Sequence, residues 1–432
     1  MRVLWFTTSP SLASEYLNYR NVGCSWIQSL ENELTKVKGI QLGIAFGWNG
    51  DSNQEPFKVN DTCYFPIPKK KVRGKMRKLI FRWSPKVSFD ENVEEYISII
   101  NQFGPDIIHI FGTENDFGML VPKIRIPCVI HIQGSVVVYN HKWYSGLTKT
   151  DVLRHSNKFR LLKGHGLFHS HSLFKKEAKR EQTIFENCQF FMGRTDWDRR
   201  ICFVLSPQAK YFHCEEMLRE QFYLHQWKPK LSHEYTILST IRGNIYKGLE
   251  TVFESKKIIQ QSLPKSIVKW KVAGIHDGDE IAYLIERKYK DKFRNNDIDL
   301  LGPLQTNELI AEMLKADLFI HPSHIDNSPN SICEAMMLGM PIITTYAGGI
   351  PSLIVNKKEG LMVQDGDPYS LAGAIIELIN DRTYASNLGI NARSIALLRH
   401  DKEKIIRDIL KIYDSIIMNS SKSAAEMRSS LS

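Results

Sequence analysis

The sequence predicts an α/β protein built of two tandem doubly wound domains facing a cleft. Three observations predict it. Short apolar, β-rich runs alternate with amphipathic stretches, as buried parallel strands alternate with crossover helices. The alternation is interrupted at Lys228-Pro229-Lys230-Leu231-Ser232 and then restarts. A chain of 432 residues that is 43% hydrophobic can also bury more than one core.

In the first domain, residues 1–230, strands are expected at Val3–Phe6, Gln41–Phe46, Ile107–Phe111, Cys128–Ile132 and Phe190–Met192, with helices such as Trp26–Leu34 and Val93–Phe103. An irregular, partly helical excursion at about 140–186 carries His141, His155, His165, His169 and His171, and reads as shaping an acceptor site or touching a membrane. His169-x-His171 has no third ligand at helical spacing and is not read as a metal site. In the second domain, residues 231–400, the strands are Tyr235–Leu238, Ile267–Ala273, Ile298–Leu301, Leu318–His321 and Pro341–Thr344. Helices follow near 249–261, 279–290, 306–315, 331–338, 368–380 and 384–397. A last helix spans Glu403–Ile417, and the Ser-, Lys- and Ala-rich residues 419–432 read as a flexible tail.

Composition excludes collagen-like, disordered and disulfide-stapled classes. Seven cysteines, at 24, 63, 128, 188, 202, 214 and 333, form no CxxC pair, which fits a reducing compartment. The N-terminus lacks a signal-peptide core and no apolar run is long enough to span a bilayer, so a cytoplasmic protein is expected. The net charge of +10 lies wholly in residues 1–200, with 29 Lys+Arg against 19 Asp+Glu. Much of it falls between Lys69 and Lys86, interleaved with Met76, Leu79, Ile80, Phe81 and Trp83. That mixture suits peripheral contact with an anionic membrane, at about 1 kcal/mol per basic residue, or a solvated loop. No recognition motif accompanies the charge, and no nucleic acid partner is expected.

Two local patterns carry chemistry. Ser331 and Glu334 have capping-box spacing, and with Gly339 and Pro341 they predict a short helix over 332–338. Its N-terminus, at the cleft, is a ready phosphate site, although Glu334 could serve only as a cap. Just past the first strand of the second domain, Arg242 and Lys247 lie in a glycine-punctuated loop, and two such cations suit a diphosphate.

Asp326, seven intervening residues, Glu334, then Ala-Met-x-x-Gly-x-Pro and Gly348-Gly349-Ile350-Pro351 resemble the donor-site signature of glycosyltransferase family 4. These are retaining enzymes of GT-B fold, two Rossmann-like domains, that take sugar from a nucleotide donor. Asn21–Ser25, Asp106–Gly112, Gly193–Arg199 and Glu359–Val363 with Asp367-Pro368 extend the resemblance over about residues 2–412. It implies that Glu334 holds the ribose, that Arg242 and Lys247 neutralise the diphosphate, and that the backbone at Asn330, Ser331 and Ile332 binds the distal phosphate. Gly23 would bring an N-terminal loop against the donor, His131 would face the transferred sugar, and Gly274 and Leu301 would lie near the base. Asp326 stands where the family usually has Glu, so its reach to the donor hexose is one methylene shorter. The resemblance further implies no cofactor beyond the nucleotide-diphosphate sugar, no metal, and a 401–418 helix crossing back to the first domain. The acceptor would be a glycan or lipid-linked saccharide in surface polysaccharide or glycolipid assembly. A GT-B epimerase or phosphorylase, and a non-catalytic membrane or nucleic-acid adaptor, are the alternatives.

Overall fold

The computed structural model describes residues 1–17, 25–49, 54–68, 76, 82–83, 92–230, 234–263 and 267–429. Gly23 and most of the basic stretch 69–86 lie outside the described residues. The first domain holds β1 (Arg2–Thr7), β2 (Gln41–Trp48), β3 (Phe57–Val59), β4 (Thr62–Pro68), β5 (Ile107–Phe111), β6 (Cys128–His131), β7 (Phe190–Gly193) and β8 (Lys210–His213). Their spatial order is β3-β4-β2-β1-β5-β6-β7-β8. All pairs are parallel except β3 with β4, a hairpin whose turn uses Asn60 at φ 52°. The second domain holds β9 (Glu234–Thr240), β10 (Ile267–Ala273), β11 (Ile298–Gly302), β12 (Leu318–His321), β13 (Ile342–Thr345) and β14 (Leu361–Val363). Here the order is β11-β10-β9-β12-β13-β14, parallel throughout. This is the doubly wound order 3-2-1-4-5-6, whose ligand crevice opens beyond the carboxyl ends of the strands where the order reverses, between β9 and β12.

Four strands were not expected from sequence. β4 carries Pro66 and Pro68, residues that argue against a strand interior. β8 is at the sheet edge, without an alternating pattern, while β3 and β14 are three residues each. The helices that matter below are α1 (Leu167–Asn187), α2 (Asp196–Leu205), α3 (Leu249–Ser262), α4 (Glu280–Tyr289), α5 (Thr306–Lys315), α6 (Asn330–Leu338) and α7 (Lys402–Ser429).

The excursion at 140–186 is a bridge between the domains. Its Trp143, Leu147, Val152 and Leu167 are buried in one cluster with Tyr235, Ile237 and Val252 of the second domain. Polar ties reinforce it: the Leu167 N–H donates to Glu280 Oε1 at 3.1 Å, and Lys288 pairs with Asp151 at 3.4 Å. His169 and His171 have local roles, through Leu161 O at 3.0 Å and Asn140 Oδ1 at 3.2 Å. The sequence reading carried the first domain to residue 230, yet Leu218, Phe222 and Trp227 already pack in the second core. Met217 is the last residue in the first before the chain returns to it as α7.

Helix α7 returns to the first domain. Ile405, Ile409, Ile412, Tyr413 and Ile416, one apolar stripe, pack with Val3, Trp5, Ile44 and Phe46. The Tyr413 hydroxyl meets His109 Nδ1 at 2.6 Å. The helix continues past Asn419, where a flexible tail was expected, to Ser429. An established helix extends without a new nucleus, and Ser, Lys, Ala, Glu and Met all tolerate helical conformation. Among the described residues, no helix is long and apolar enough to cross a membrane.

Burial lowers the pKa of several histidines: His109 to about 3, His400 to about 4, and His131 and His321 in the same direction. Their folded values lie below the unfolded one, so the unfolded chain binds more protons. Their contribution is complete above about pH 6.5 and falls as pH drops through that value, by about 1.4 kcal/mol per pH unit for each group. His324, raised by Glu250 and Asp365 against its burial, works in the opposite direction. Thermal unfolding followed between pH 7.5 and 4.5 should show a steep loss of stability on the acid side. A flat profile would mean that these imidazoles are not buried neutral.

Candidate functional site

The switch point of the second sheet brings together the loops after β9 and β12. After β9 the chain passes Arg242, which is exposed, and Lys247, half-buried, and turns into α3 through Gly248 at φ 79°. A Cβ at Gly248 would meet the Pro322 carbonyl at 2.1 Å, so this glycine lets the two loops touch. The loop after β10 joins them in the same way. Gly274 has φ 97°, and a Cβ there would lie 2.4 Å from the Ile241 carbonyl oxygen, next to Arg242. The Gly274 N–H donates to Gly302 O at 2.7 Å, which ties in the end of β11, where Leu301 is partly buried.

Helix α6 starts at the mouth of this crevice, but not as the spacing suggested. It begins at Asn330 after Pro329, whose φ of −65° is already helical, and no side chain caps it. The Ile332 N–H closes onto Pro329 O at 3.0 Å. Asn330 and Ser331 therefore carry the open donors of the first turn, and Ile332 does not contribute the expected one. Glu334 is a full turn in, buried, and makes no capping bond with Ser331. It takes a bidentate ion pair from Arg219 instead, with both contacts at 2.7 Å. Burial pushes its carboxyl pKa up while Arg219 opposes the rise.

Asp326 is the hub of the loop after β12. Lys247 Nζ donates to Asp326 Oδ2 at 2.6 Å, His321 Nε2 lies 3.1 Å from the same oxygen, and the Tyr139 hydroxyl donates to Oδ1 at 3.5 Å. Burial would raise this carboxyl, but Lys247 and His321 more than offset it and hold the pKa well below the usual carboxylate range. Lys247 is thus engaged by a carboxylate here, whereas Arg242 projects from the loop into solvent.

The first domain meets this loop directly. Asn327, fully buried, accepts from Thr195 Oγ1 at 2.6 Å and donates from Nδ2 to Asp198 Oδ2 at 3.1 Å and Gln133 O at 3.3 Å. Gln133 is two residues beyond His131 at the end of β6. His131 is 1% exposed, neither ring nitrogen has a hydrogen-bond partner, and Nε2 is 3.7 Å from Glu216 Oε1. Glu216 is held by Arg194 and by Gln133 Nε2 at 2.5 Å. Burial raises its pKa to about 7 against the pull of Arg194.

Sequence reasoning missed Arg219, Tyr139, His321, Asn327 and Glu216. Only Asn327, beside Asp326, fell inside a motif already singled out. It also passed over four Asp-x-Asp pairs, at 196–198, 277–279, 297–299 and 365–367, the last with Asp367 capping a helix through the N–H groups of Tyr369 and Ser370. Within them Asp198 serves Thr195, Tyr211 and Asn327, Asp279 caps the turn at His276, and Asp297 pairs with Lys256.

The fold has counterparts among known proteins, and part of the sequence has relatives. The chain is 26% identical, over 57% of its length and 64% of the relative's, to an N,N'-diacetylbacillosaminyl-diphospho-undecaprenol alpha-1,3-N-acetylgalactosaminyltransferase of Campylobacter jejuni. The chain spans about half the length of the curated relatives it matches. Sucrose-phosphate synthase from Thermosynechococcus elongatus superposes with a TM-score of 0.67 over 97% of this chain and 99% of that one, at 14% identity. Anabaena HepE in complex with UDP-glucose superposes with a TM-score of 0.64 over 96% and 100%, also at 14% identity. These two share the fold, a GT-B arrangement of two parallel-sheet α/β domains. Residues 224–395 match the family model for Glycosyl transferases group 1, a match that falls almost entirely within the second domain of the GT-B fold.

Proposed function

We propose that the protein is a retaining hexosyltransferase that moves a sugar from a nucleotide-diphosphate donor to a glycan or lipid-linked saccharide acceptor in surface polysaccharide or glycolipid assembly. The observation that carries this reading is the meeting, at the switch point, of the Arg242–Lys247 loop with the loop after β12 that leads into the open first turn of α6, through the His324 N–H to Tyr246 O at 2.9 Å and Lys247 Nζ to Asp326 Oδ2 at 2.6 Å. Together they offer cations and backbone donors for a diphosphate. The UDP-glucose in Anabaena HepE supports a nucleotide-sugar donor. The diphospho-undecaprenol-linked sugar in the Campylobacter jejuni relative's name supports a lipid-linked acceptor.

In this reading Glu334 accepts from the ribose hydroxyls, Arg242 and Lys247 stabilise charge developing on the leaving diphosphate, and Asn330 and Ser331 donate to its distal phosphate. Lys247 exchanges its bond to Asp326 for the donor, which frees the Asp326 carboxylate for a donor hydroxyl. The acceptor hydroxyl attacks from the face the diphosphate leaves, and the leaving phosphate takes its proton. His131 and its ring of Gln133, Glu216 and Arg194 form the first-domain wall. Cations and helix dipole carry the phosphate charge without a metal ion. Contact with anionic membrane through residues 69–86 belongs to the same proposal.

Thermal stabilisation by a panel of nucleotides and nucleotide sugars, with and without chelator, tests it, since a ligand at 100 times its dissociation constant stabilises by about 2.7 kcal/mol. We expect a shift with one nucleoside diphosphate and its sugar, insensitive to chelator. No shift with any of them, from a folded protein, would sink the donor-site assignment.

A further inference from the structure

We infer that Arg219, on the strand-free crossover between the two domains, is the residue that holds Glu334 ready for the ribose of the donor nucleotide; the inference rests on the donor reading above. Glu334 is 4% exposed, and a carboxylate buried that far stays ionised only beside a partner. Arg219 Nε donates to Oε1 and Nη2 to Oε2, both at 2.7 Å, a side-on fork that occupies one acceptor position on each oxygen. The guanidinium is fixed from two further sides. Nη1 donates to Thr306 Oγ1 at 3.1 Å, at the start of α5, and the group lies over the Phe222 ring at 4.7 Å.

Each Glu334 oxygen keeps a second acceptor position, and a ribose 2′,3′-diol needs two acceptors side by side. A neutral carboxylic acid, the form that burial favours, would turn one of them into a donor. Lysine is no substitute, since a single point donor leaves the second oxygen unheld. Arg219 reaches the site from the passage between the cores, with Met217 buried in the first and Leu218 in the second. It therefore acts on the nucleotide only through Glu334, as a positioning residue.

The test is calorimetric binding of UDP, GDP and ADP and their 2′-deoxy counterparts to the full-length wild type, Glu334→Ala, Arg219→Ala and Arg219→Lys. The wild type should prefer the ribonucleotide of its base. Arg219→Ala should weaken that ribonucleotide about ten- to hundredfold and leave the deoxynucleotide almost unchanged, so that the preference disappears as it does in Glu334→Ala. Arg219→Lys should restore only part of it, and this variant carries the test if Arg219→Ala does not fold. A purely structural role would weaken both nucleotides equally. If Glu334→Ala loses the preference while folded Arg219 variants keep it, the inference is overturned and the ribose role of Glu334 stands. If the wild type shows no ribose preference, the role of Glu334 fails and the inference falls with it.

Discussion

Arg242→Ala is expected to lower donor turnover roughly 10²–10³-fold while leaving the melting temperature unchanged. The two halves of this expectation have different origins. The side chain is exposed at the tip of the loop after β9 and neither packs in a core nor makes an ion pair among the described residues. Removing such a group changes stability by about 0.5 kcal/mol or less. In the donor site proposed above, this charge, on a loop that touches Gly274 and the loop after β12, serves the diphosphate. Charge on the leaving diphosphate grows as the glycosidic bond breaks, so a fixed cation there is worth more in the transition state than in the ground state. The loss should fall mainly on kcat, with Arg242→Lys in between because it keeps the charge and loses the fork. Release of nucleoside diphosphate from the donor, with and without acceptor, is the readout. Full activity in Arg242→Ala would mean that this loop does not face the diphosphate.

Most of the architecture was legible because buried parallel strands leave continuous apolar runs. β5, β12 and β13 are buried along their whole length, and sequence placed all three within a residue or two. Two strands left no such trace: β8, at the sheet edge, is half-exposed, and β4 is punctuated by Pro66 and Pro68, which lie beyond the stretch that pairs with β3. The candidate site divides in the same way. Arg242, Lys247, Asp326 and Glu334 lie in loops and a helix start with their own local spacing, so they could be named. Their partners Arg219 and Tyr139 could not, because each contact joins residues brought together only by the fold: Arg219 and Glu334 are 115 positions apart, and Tyr139 and Asp326 are 187. The capping box failed for a related reason. S-x-x-E spacing fits an N-cap only if the helix begins after the serine, and Pro329 starts it earlier, which turns Glu334 inward to the half-buried Arg219.

The ion pair between Lys247 and Asp326 leaves two roles for the lysine, as the cation for a diphosphate or as a counter-ion for a buried carboxylate, and a pair of substitutions separates them. Lys247→Met removes the charged partner of a carboxylate that otherwise has His321, the Tyr139 hydroxyl and the Asn327 N–H to satisfy it, and should cost about 3–5 kcal/mol. In the wild type the Asp326 pKa is depressed on folding, so its contribution is complete above the unfolded value near 3.9 and is lost as pH falls towards the folded one. Without Lys247 burial dominates and the folded pKa rises above the unfolded one. The sign then reverses: the folded protein binds more protons, and the Asp326 contribution weakens as pH rises through the ordinary carboxylate range. Asp326→Asn in the same chain removes both charges and should return most of the stability and abolish the reversed pH dependence. It should not return turnover, which Lys247→Met lowers roughly 10²–10³-fold through the lost charge at the diphosphate. Unfolding profiles between pH 4 and 8 for the single and double variants, beside their rates of donor consumption, give both halves of the cycle. A double variant that recovers stability and turnover together would leave Lys247 as a structural counter-ion alone and Arg242 as the cation on which the site depends.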